Sequence, residues 1–317
     1  MHLINADLHS HSTVSDGTLP PAELARRAAA AGVQLWALTD HDEVDGLAEA
    51  RAAALDHGMA FLAGTEISVS FADETVHVVG LGIDPEDAAL RAGLAATRAG
   101  RRERARQMAE GLARVGIDGA LEGALAHVGN PELVSRTHFA RFLVERGVCA
   151  DTHAVFRRYL TPGNPGYVPH RWASLGDAVR WITGAGGVAV IAHPGRYARF
   201  NATLEYALFT EFVGHGGRGV EVLTGSHSEA ERLRYADTAL EFGLLASRGS
   251  DFHSPEESRT GLGALPDLPG RLTPVWSALA HRIEGRFADL ADSRADGRPA
   301  SPSSGRTDSP AGTGAIG

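Results

Sequence analysis

Residues 3–11 read Leu-Ile-Asn-Ala-Asp-Leu-His-Ser-His, a short apolar run that ends in two histidines spaced two positions apart. Such a run predicts a buried β-strand, and the period of two along a strand places both imidazoles on the same face. Both rings can therefore bind one metal ion. This stretch decides the fold because its pattern, an apolar strand followed by metal-binding side chains, recurs along the chain.

The same pattern occurs at three further places, with Ala-rich helical segments between them. Predicted strands end at Thr39-Asp40-His41-Asp42, Ala192-His193-Pro194-Gly195 and Gly249-Ser250-Asp251-Phe252-His253, and residues 60–63, 67–71, 76–81 and 219–223 are further strand candidates. Repeated βα units predict a mainly parallel sheet covered by helices, and about seven of them favour a closed or nearly closed barrel. The catalytic side chains of such barrels lie at the C-terminal ends of the strands, where these residues are predicted to lie.

The middle of the chain departs from this alternation. Residues 87–165 carry helical patterns alone and are predicted to form a helical insertion, or cap, that includes one long helix over about 87–115. The barrel is then expected to comprise residues 1–86 and 166–291. Residues 292–317 are rich in Ser, Pro, Gly, Asp and Arg and are predicted to be a disordered tail.

Composition limits the class of protein and the kind of site. The 317 residues include 15 histidines but only one cysteine, Cys149, which excludes a disulfide framework and a thiolate metal cage. No segment has the roughly 20 apolar residues of a transmembrane helix, and the N-terminus lacks the features of a signal peptide. We therefore expect a cytoplasmic protein that does not bind membranes.

Charge is unevenly distributed along the chain. The net charge of −9 argues against a polyanionic ligand, yet residues 98–171 contain 12 arginines and 7 acidic residues. Part of this excess is the run Arg101, Arg102, Arg104 and Arg106. The run is equally consistent with a solvated helix face.

Glu66 is the candidate carboxylate bridge between two ions, because it lies between small and apolar residues after a predicted strand. Histidine and carboxylate ligands without cysteine suit Mn²⁺, Zn²⁺ or Fe²⁺ better than Ca²⁺. Two such ions roughly 3.5–4 Å apart can activate water and clamp a phosphoryl group, so that no protein nucleophile is required. Each histidine alone is explained more simply as a hydrogen-bonded structural residue, but the whole set at strand ends favours a site.

The chain resembles the polymerase-and-histidinol-phosphatase (PHP) metallophosphoesterases over about residues 3–270. The matching motifs are Asp7-Leu8-His9-Ser10-His11, Ser15-Asp16-Gly17, Thr39-Asp40-His41-Asp42, Gly64-Thr65-Glu66-Ile67, His77-Val78-Val79-Gly80, Ala192-His193-Pro194 and Ser250-Asp251-Phe252-His253. Residues 121–124, 136–143, 166–169 and 193–197 are similar to the branch of 3′,5′-nucleoside bisphosphate phosphatases, also called RNase AM.

The resemblance implies a distorted (β/α)₇ barrel with two or three divalent ions, of which Mn²⁺ is the first choice and Zn²⁺ or Fe²⁺ the alternatives. His9, His11, Glu66 and Asp251 would hold the first ion, Glu66, His77 and His193 the second, and Asp16, His41 and His253 the third. Within this set, the catalytic residues would be His9, His11, Glu66, His193 and Asp251. Asp7, Asp40 and Asp42 would orient the imidazoles, with strand-end or loop capping as the alternative.

Substrate binding is predicted from the arginines, because a guanidinium matches phosphate oxygens bidentately. The candidates are Arg136, Arg196, Arg101 and Arg104, together with His138; a helix-surface role for Arg136 and a structural role for His138 are the alternatives. Asn164 stands where members of the branch tend to have lysine. This replacement weakens the expected binding of a second phosphate or of an RNA 5′ end.

The predicted activity is metal-dependent removal of the 3′-phosphate from nucleoside 3′,5′-bisphosphates. By resemblance, it extends to 5′–3′ hydrolysis of short 5′-monophosphorylated RNA. The alternatives are a phosphatase for a small monoester such as histidinol phosphate, a PHP-like barrel that binds without catalysis, and a hydrolase of C–N bonds of the amidohydrolase kind. The last would normally need a bridging lysine, and the chain contains no lysine.

Overall fold

The computed structural model describes residues 4–197 and 199–287, in which eight strands form one sheet. The strands are β1 (Ala6–Asp7), β2 (Leu35–Leu38), β3 (Ala60–Phe71), β4 (Glu74–Leu81), β5 (Ala173–Ser174), β6 (Val188–Ile191), β7 (Gly219–Thr224) and β8 (Leu245–Gly249). Their order is β1-β2-β3-β4-β6-β7-β8, with β5 paired to β3. Strand β4 is antiparallel to β3 and to β6, and the other pairs are parallel.

Backbone hydrogen bonds between the two ends of the sheet nearly close it into a barrel. The N–H groups of Leu8, Asp251 and His11 donate to the carbonyl oxygens of Arg248 (3.0 Å), His9 (2.8 Å) and Phe252 (2.8 Å), respectively. These bonds join the segment after β1 to the segment after β8. The predicted distorted (β/α)₇ barrel is confirmed, and the antiparallel strand β4 is the main departure from a regular parallel barrel.

Helices cover the sheet and fill the middle of the chain. They are α1 (Pro21–Ala30), α2 (Leu47–Asp56), α3 (Ala88–Arg98), α4 (Arg101–Ala113), α5 (Ala120–Leu125), α6 (Arg136–Glu145), α7 (Thr152–Val155), α8 (Leu175–Gly184), α9 (Ala202–Gly214), α10 (Glu229–Glu241) and α11 (Val275–Ala278). Helix α1 begins at Pro21, whose fixed φ and missing N–H suit a first helical turn. A π-helical turn, Phe156–Leu160, follows α7.

Three predicted elements, one helix and two strands, were wrong in their extent. The single helix predicted over 87–115 is two helices, α3 and α4, separated by Ala99 and Gly100, and His170 packs closely against Gly100. A Cβ at Gly100 would lie 2.4 Å from Cε1 of His170. The strands predicted at 60–63 and 67–71 are one strand, β3, because the residues between them also pair with β4.

Two apolar clusters stabilise the described chain. The larger lies between the sheet and its helices and includes Trp36, Phe61, Ile191 and Val220. The smaller is contributed by residues within 105–160, among them Met108, Leu112, Phe139 and Leu143. This smaller cluster, called here the insertion core, belongs to the segment predicted as a helical insertion.

The predicted boundaries at residues 86, 165 and 291 stay predictions, and the described residues 4–197 and 199–287 belong to one compact unit. The predicted tail, 292–317, lies outside the described residues. Within the described residues, the helices are all too short or too polar to cross a membrane.

Candidate metal centre

The nine predicted metal ligands converge at one end of the barrel. They come from the segments after β1 (His9, His11 and Asp16), after β2 (His41), after β6 (His193) and after β8 (Asp251 and His253), and from within β3 (Glu66) and β4 (His77). Parallel strands bring their C-terminal ends to the same edge, and the antiparallel hairpin of β3 and β4 adds two side chains there. The structure therefore brings together residues up to 244 positions apart in the chain.

Four buried side chains form the first group. Nε2 of His9 lies 3.1 Å from Nε2 of His11, and Oε2 of Glu66 lies 3.3 Å from each of these nitrogens. Oδ1 of Asp251 is 3.2 Å from Nε2 of His11 and 3.5 Å from Nε2 of His9. Potential ligand atoms of the other three residues thus lie within 3.5 Å of Nε2 of His9.

The other oxygen of Glu66 belongs to a second group. Its Oε1 lies 2.9 Å from Nε2 of His193 and 3.0 Å from Nδ1 of His77. Because Oε2 faces the first group and Oε1 the second, Glu66 has the geometry of a bridge.

A third group surrounds Asp16. Its Oδ1 lies 3.4 Å from Nε2 of His253 and 3.7 Å from Nε2 of His41. His41 also approaches the Glu66 bridge, because its Nδ1 lies 3.0 Å from Oε2 of Glu66. Side chains whose potential ligand atoms all lie within 4.8 Å of one another form four overlapping groups, so the division into three ligand sets stays a prediction. These groups are His11, Asp16, His41 and His253; His9, Glu66 and His193; His9, His11 and Asp251; and His41, Glu66 and His77.

The chemistry of this cluster fits divalent ions. Oε2 of Glu66, Oδ1 of Asp16 and Oδ1 of Asp251 are buried, and within the described residues they accept no hydrogen bond, although imidazole nitrogens surround them. Buried oxygens without a donor are unfavourable, and a cation would satisfy them. Histidine and carboxylate donors suit Mn²⁺, Zn²⁺ or Fe²⁺.

Glu221, in β7, is a site residue that sequence reasoning missed. Its Oε1 lies 2.7 Å from Nδ1 of His9, and its Oε2 accepts a 2.7 Å hydrogen bond from the backbone N–H of His193. The available signal was a single charged residue inside the apolar run Gly219-Val220-Glu221-Val222-Leu223. Such a residue in a strand with both faces buried needs partners for its carboxylate.

Asp7, Asp40 and Asp42, predicted to orient the imidazoles, form no direct hydrogen bond to an imidazole within the described residues, and the loop-capping alternative describes their contacts better. Asp7 accepts from the backbone N–H groups of Ser250 and Gly263, Asp40 from Ser12 and Ser15, and Asp42 from Ser68 and Arg101. Only Asp40 reaches a ring indirectly, because Oγ of Ser15 lies 3.5 Å from Nδ1 of His11. These aspartates therefore brace the loops that carry the cluster.

A cavity of about 200 Å³ opens onto the cluster and is lined by the four predicted arginines, Arg101, Arg104, Arg136 and Arg196. Two of them already have carboxylate partners: Arg101 pairs with Asp42, and Nη1 of Arg196 lies 2.6 Å from Oδ2 of Asp251. The other two, Arg104 and Arg136, form no ion pair within the described residues. The cavity thus holds two guanidiniums that lack an anion.

Arg104 is the more deeply buried member of this pair, with 7% of its surface exposed. It donates to the carbonyl of Val168, and its guanidinium lies over the ring of Trp172 at 5.3 Å. Burial, followed by repulsion from Arg136 and Arg101, lowers the pKa of Arg104 to about 9. A bound anion would relieve this repulsion.

His138 and Asn164 do not line the cavity. Nδ1 of His138 accepts a 3.0 Å hydrogen bond from the backbone N–H of Ser135 and so caps α6, which favours the structural alternative over substrate binding. The side-chain amide of Asn164 donates to Arg157 and Thr161 within a turn. The predicted contact of His138 with the substrate stays a prediction.

Metal-free protein is expected to lose stability as the pH rises from 6.5 towards 10. Burial lowers the pKa of His11, but the carboxylates of Asp251 and Glu66, 3.2 and 3.3 Å from its Nε2, outweigh burial and raise the pKa from 6.5 to about 10. The folded chain thus binds this proton more tightly than the unfolded chain, so its contribution is complete below pH 6.5 and is lost through about pH 10. Thermal unfolding in chelator at both ends of this window checks the sign, and a melting temperature that rises across it would contradict the assignment.

Comparisons with known proteins agree on one family. The profile of the PHP domain matches residues 7–122. A 3′,5′-nucleoside bisphosphate phosphatase from Chromobacterium violaceum is 54% identical over 281 residues, which cover 89% of this chain and 98% of the relative. The 5′-3′ exoribonuclease Rnm of Escherichia coli is 42% identical over 274 residues, covering 85% of this chain and 92% of the relative.

Two solved structures share the fold. A Chromobacterium violaceum protein described as an amidohydrolase, with bound sulfate and no metal, superposes with a TM-score of 0.87 at 54% identity, covering 90% of this chain and 99% of that one. A putative metal-dependent phosphoesterase from Bifidobacterium adolescentis superposes with a TM-score of 0.73 at 30% identity, covering 90% and 98%. The likeness therefore extends over the barrel and the insertion together.

Proposed function

The chain belongs to the PHP family of metal-dependent phosphoesterases, and from this membership we propose that it removes the 3′-phosphate from nucleoside 3′,5′-bisphosphates. Membership of the family and the metal cluster support hydrolysis of a phosphate ester. The arginine-lined cavity beside the cluster supports a substrate with two phosphates. The similarity to the Chromobacterium violaceum phosphatase, which spans nearly the whole of both chains, supports the same substrate class.

The observation that carries the proposal is the unpaired couple Arg104 and Arg136 in the same cavity as the metal cluster. A nucleoside 3′,5′-bisphosphate has two phosphates, so one can meet the cluster while the other meets this couple. Arginine binds phosphate oxygens bidentately, and burial strengthens the contact. A single monoester such as histidinol phosphate would leave the two guanidiniums without an anion, which argues against that alternative.

Divalent ions at the cluster would polarise the phosphate ester and provide an activated water at neutral pH. The residues of the chain bind and orient the substrate. Arg104 and Arg136 hold the remote phosphate and thereby fix how far the ester reaches towards the cluster. Arg196, beside Asp251, is placed to contact the reacting phosphate and stabilise the charge that develops on it.

A specific observation also favours activity on short RNA with a 5′-monophosphate. The first linkage of such an RNA has the same leaving group as the bisphosphate, the 3′-oxygen of a 5′-phosphorylated nucleotide. A second cavity of about 600 Å³ adjoins the first and shares Phe156, Arg196 and His253 with it. This space can accept nucleotides beyond the scissile phosphate, so we extend the proposal to 5′–3′ exoribonuclease activity, as in the Escherichia coli relative.

Three finer points belong to the same proposal. We propose Mn²⁺ as the working ion, with Zn²⁺ or Fe²⁺ as alternatives, and a cytoplasmic location. We also propose that residues 87–165 cap the barrel and contribute Arg104 and Arg136 to the cavity. The separate insertion core supports this role, because it gives the segment its own packing.

Steady-state kinetics with Mn²⁺ test the proposal. We expect kcat/KM for adenosine 3′,5′-bisphosphate to exceed that for histidinol phosphate by roughly 30- to 1000-fold, since a buried charged contact contributes about 2–4 kcal/mol. A 5′-phosphorylated oligoribonucleotide should be hydrolysed, and the same oligonucleotide with a 5′-hydroxyl much more slowly. Chelator should abolish all activity. Equal or reversed rates for the two small substrates would favour the histidinol phosphate alternative.

A further inference from the structure

Glu221 is a buried carboxylate in the middle of the sheet, with 1% of its surface exposed. It lies in β7, between the neighbouring strands β6 and β8. A charge in this position is strongly unfavourable unless both oxygens have partners. Each oxygen of Glu221 has one partner, and the two partners, His9 and His193, belong to different predicted ligand sets of the metal centre.

The first partner is the ring of His9. Oε1 of Glu221 lies 2.7 Å from Nδ1 of His9. A carboxylate can only accept, so this contact keeps the proton of the neutral ring on Nδ1. The lone pair is then left on Nε2, the nitrogen that lies 3.3 Å from Oε2 of Glu66 in the first group. The contact thus selects the tautomer of His9 that can bind an ion.

The second partner is the backbone of His193. Oε2 of Glu221 accepts a 2.7 Å hydrogen bond from its N–H. His193 has φ 29° and ψ 55°, a left-handed conformation that is unfavourable for a residue with a Cβ. This bond helps to hold the strained residue, whose Nε2 lies 2.9 Å from Oε1 of Glu66 in the second group.

We propose that Glu221 is a positioning residue that fixes both ion subsites at once, through the tautomer of His9 in one and the backbone of His193 in the other. The inference rests on the proposed metal centre but not on the identity of the substrate. Its consequence is that the two subsites share a single support, so that a change at Glu221 weakens both.

Replacing Glu221 by glutamine tests whether its carboxylate positions His9 and His193 or whether its side chain only fills space in the protein interior. Glutamine has nearly the same shape, but its amide offers one accepting oxygen where glutamate offers two. If the oxygen keeps the N–H of His193, the amide NH₂ faces Nδ1 of His9 and favours the tautomer protonated on Nε2. If the oxygen keeps His9, the amide NH₂ faces the N–H of His193. Either arrangement damages one subsite.

Glu43→Gln is the matched control. Glu43 is also buried, at 4% exposed, and its two oxygens also have separate partners: Oε1 accepts a 2.8 Å hydrogen bond from the backbone N–H of Val44, and Oε2 lies 3.2 Å from Nη1 of Arg98. It contacts no imidazole through these bonds. Both variants therefore remove one acceptor from a buried carboxylate, but only Glu221→Gln changes a ring that faces the cluster.

The experiment measures Mn²⁺ binding to metal-stripped full-length protein by competition with a fluorescent chelator, together with thermal unfolding in EDTA. We expect Glu221→Gln to weaken Mn²⁺ binding about 10- to 100-fold, the usual effect of losing a partner of a metal-bound histidine. Glu43→Gln should lower the melting temperature in EDTA but leave Mn²⁺ affinity within roughly 3-fold of wild type, below that range.

Wild-type Mn²⁺ affinity in Glu221→Gln, or an equal loss of affinity in Glu43→Gln, would overturn the proposal. If Glu221→Gln does not fold, Glu221→Asp replaces it. Its side chain is one methylene shorter and cannot reach both partners, so a loss of at least about 10-fold is expected, and unchanged affinity would again overturn the idea. Because no substrate is present, failure of the proposed function would appear separately, as tight Mn²⁺ binding without bisphosphate hydrolysis.

Discussion

Glu66→Gln is expected to remove nearly all phosphoesterase activity, with kcat falling by more than about 100-fold. Loss of an outer partner of a metal ligand costs about 10- to 100-fold, and Glu66 approaches potential ligands of two groups with its two oxygens. Glutamine keeps the shape but replaces one of these oxygens by an NH₂ group, which cannot bind a cation. The measurement is kcat on adenosine 3′,5′-bisphosphate, with the bound Mn²⁺ counted in parallel.

Glu43→Gln is the control for this change. Glu43 is also a buried glutamate near the barrel mouth, but it pairs with Arg98, at 3.2 Å, and lies outside the cluster. This variant should keep the Mn²⁺ content of the wild type. If Glu66→Gln also retained its full Mn²⁺ content and activity, Glu66 could not be the bridge.

Arg136→Ala and Arg104→Ala are each expected to lower kcat/KM for adenosine 3′,5′-bisphosphate by about 2–4 kcal/mol, or roughly 30- to 1000-fold. Both guanidiniums line the cavity, and in the part of the chain that the structure describes neither pairs with a carboxylate, so the remote phosphate would be their natural anion. Adenosine 3′-monophosphate lacks this phosphate. Its hydrolysis should change little in either variant, and this difference between the two substrates identifies the phosphate that the arginines bind.

Arg102→Ala is the control on the same helix, α4, because Arg102 is exposed and does not line the cavity. Its kinetics should match the wild type on both substrates. An equal loss on the bisphosphate and on the 3′-monophosphate in Arg136→Ala would show that Arg136 acts on the reacting phosphate or on the fold instead.

Much of the barrel mouth could be predicted from the sequence because its features are local. An apolar run followed by histidine or aspartate places a ligand at a strand end, whatever the strand pairs with. From this reasoning, His9, His193 and Asp251 were predicted to lie at strand ends, close together at one end of the barrel. It also predicted the barrel, since alternating strands and helices have few ways to pack.

What could not be predicted depends on contacts between distant segments. The hydrogen bonds of Glu221 form only when the ends of β1, β6 and β7 lie side by side in the folded sheet. The residues around Glu221 in the sequence do not predict this arrangement. Arg101 forms an ion pair with Asp42, whereas Arg104 forms no ion pair within the described residues. This difference likewise arises only when α4 packs on the barrel. Gly64 lies between the strands predicted at 60–63 and 67–71, yet in the structure it belongs to the continuous strand β3 and pairs with Leu81 of β4.

The two apolar clusters have a consequence for how this protein can evolve. The groups proposed to perform hydrolysis are anchored in the larger cluster, whereas Arg104 and Arg136 lie on helices that pack through the smaller one. Substitutions in the segment that forms the smaller cluster can then change which phosphate ester the protein binds. The larger cluster would continue to support the residues proposed to perform hydrolysis. Diversification of substrate preference among descendants of such a chain should accordingly concentrate between α3 and the π-helical turn.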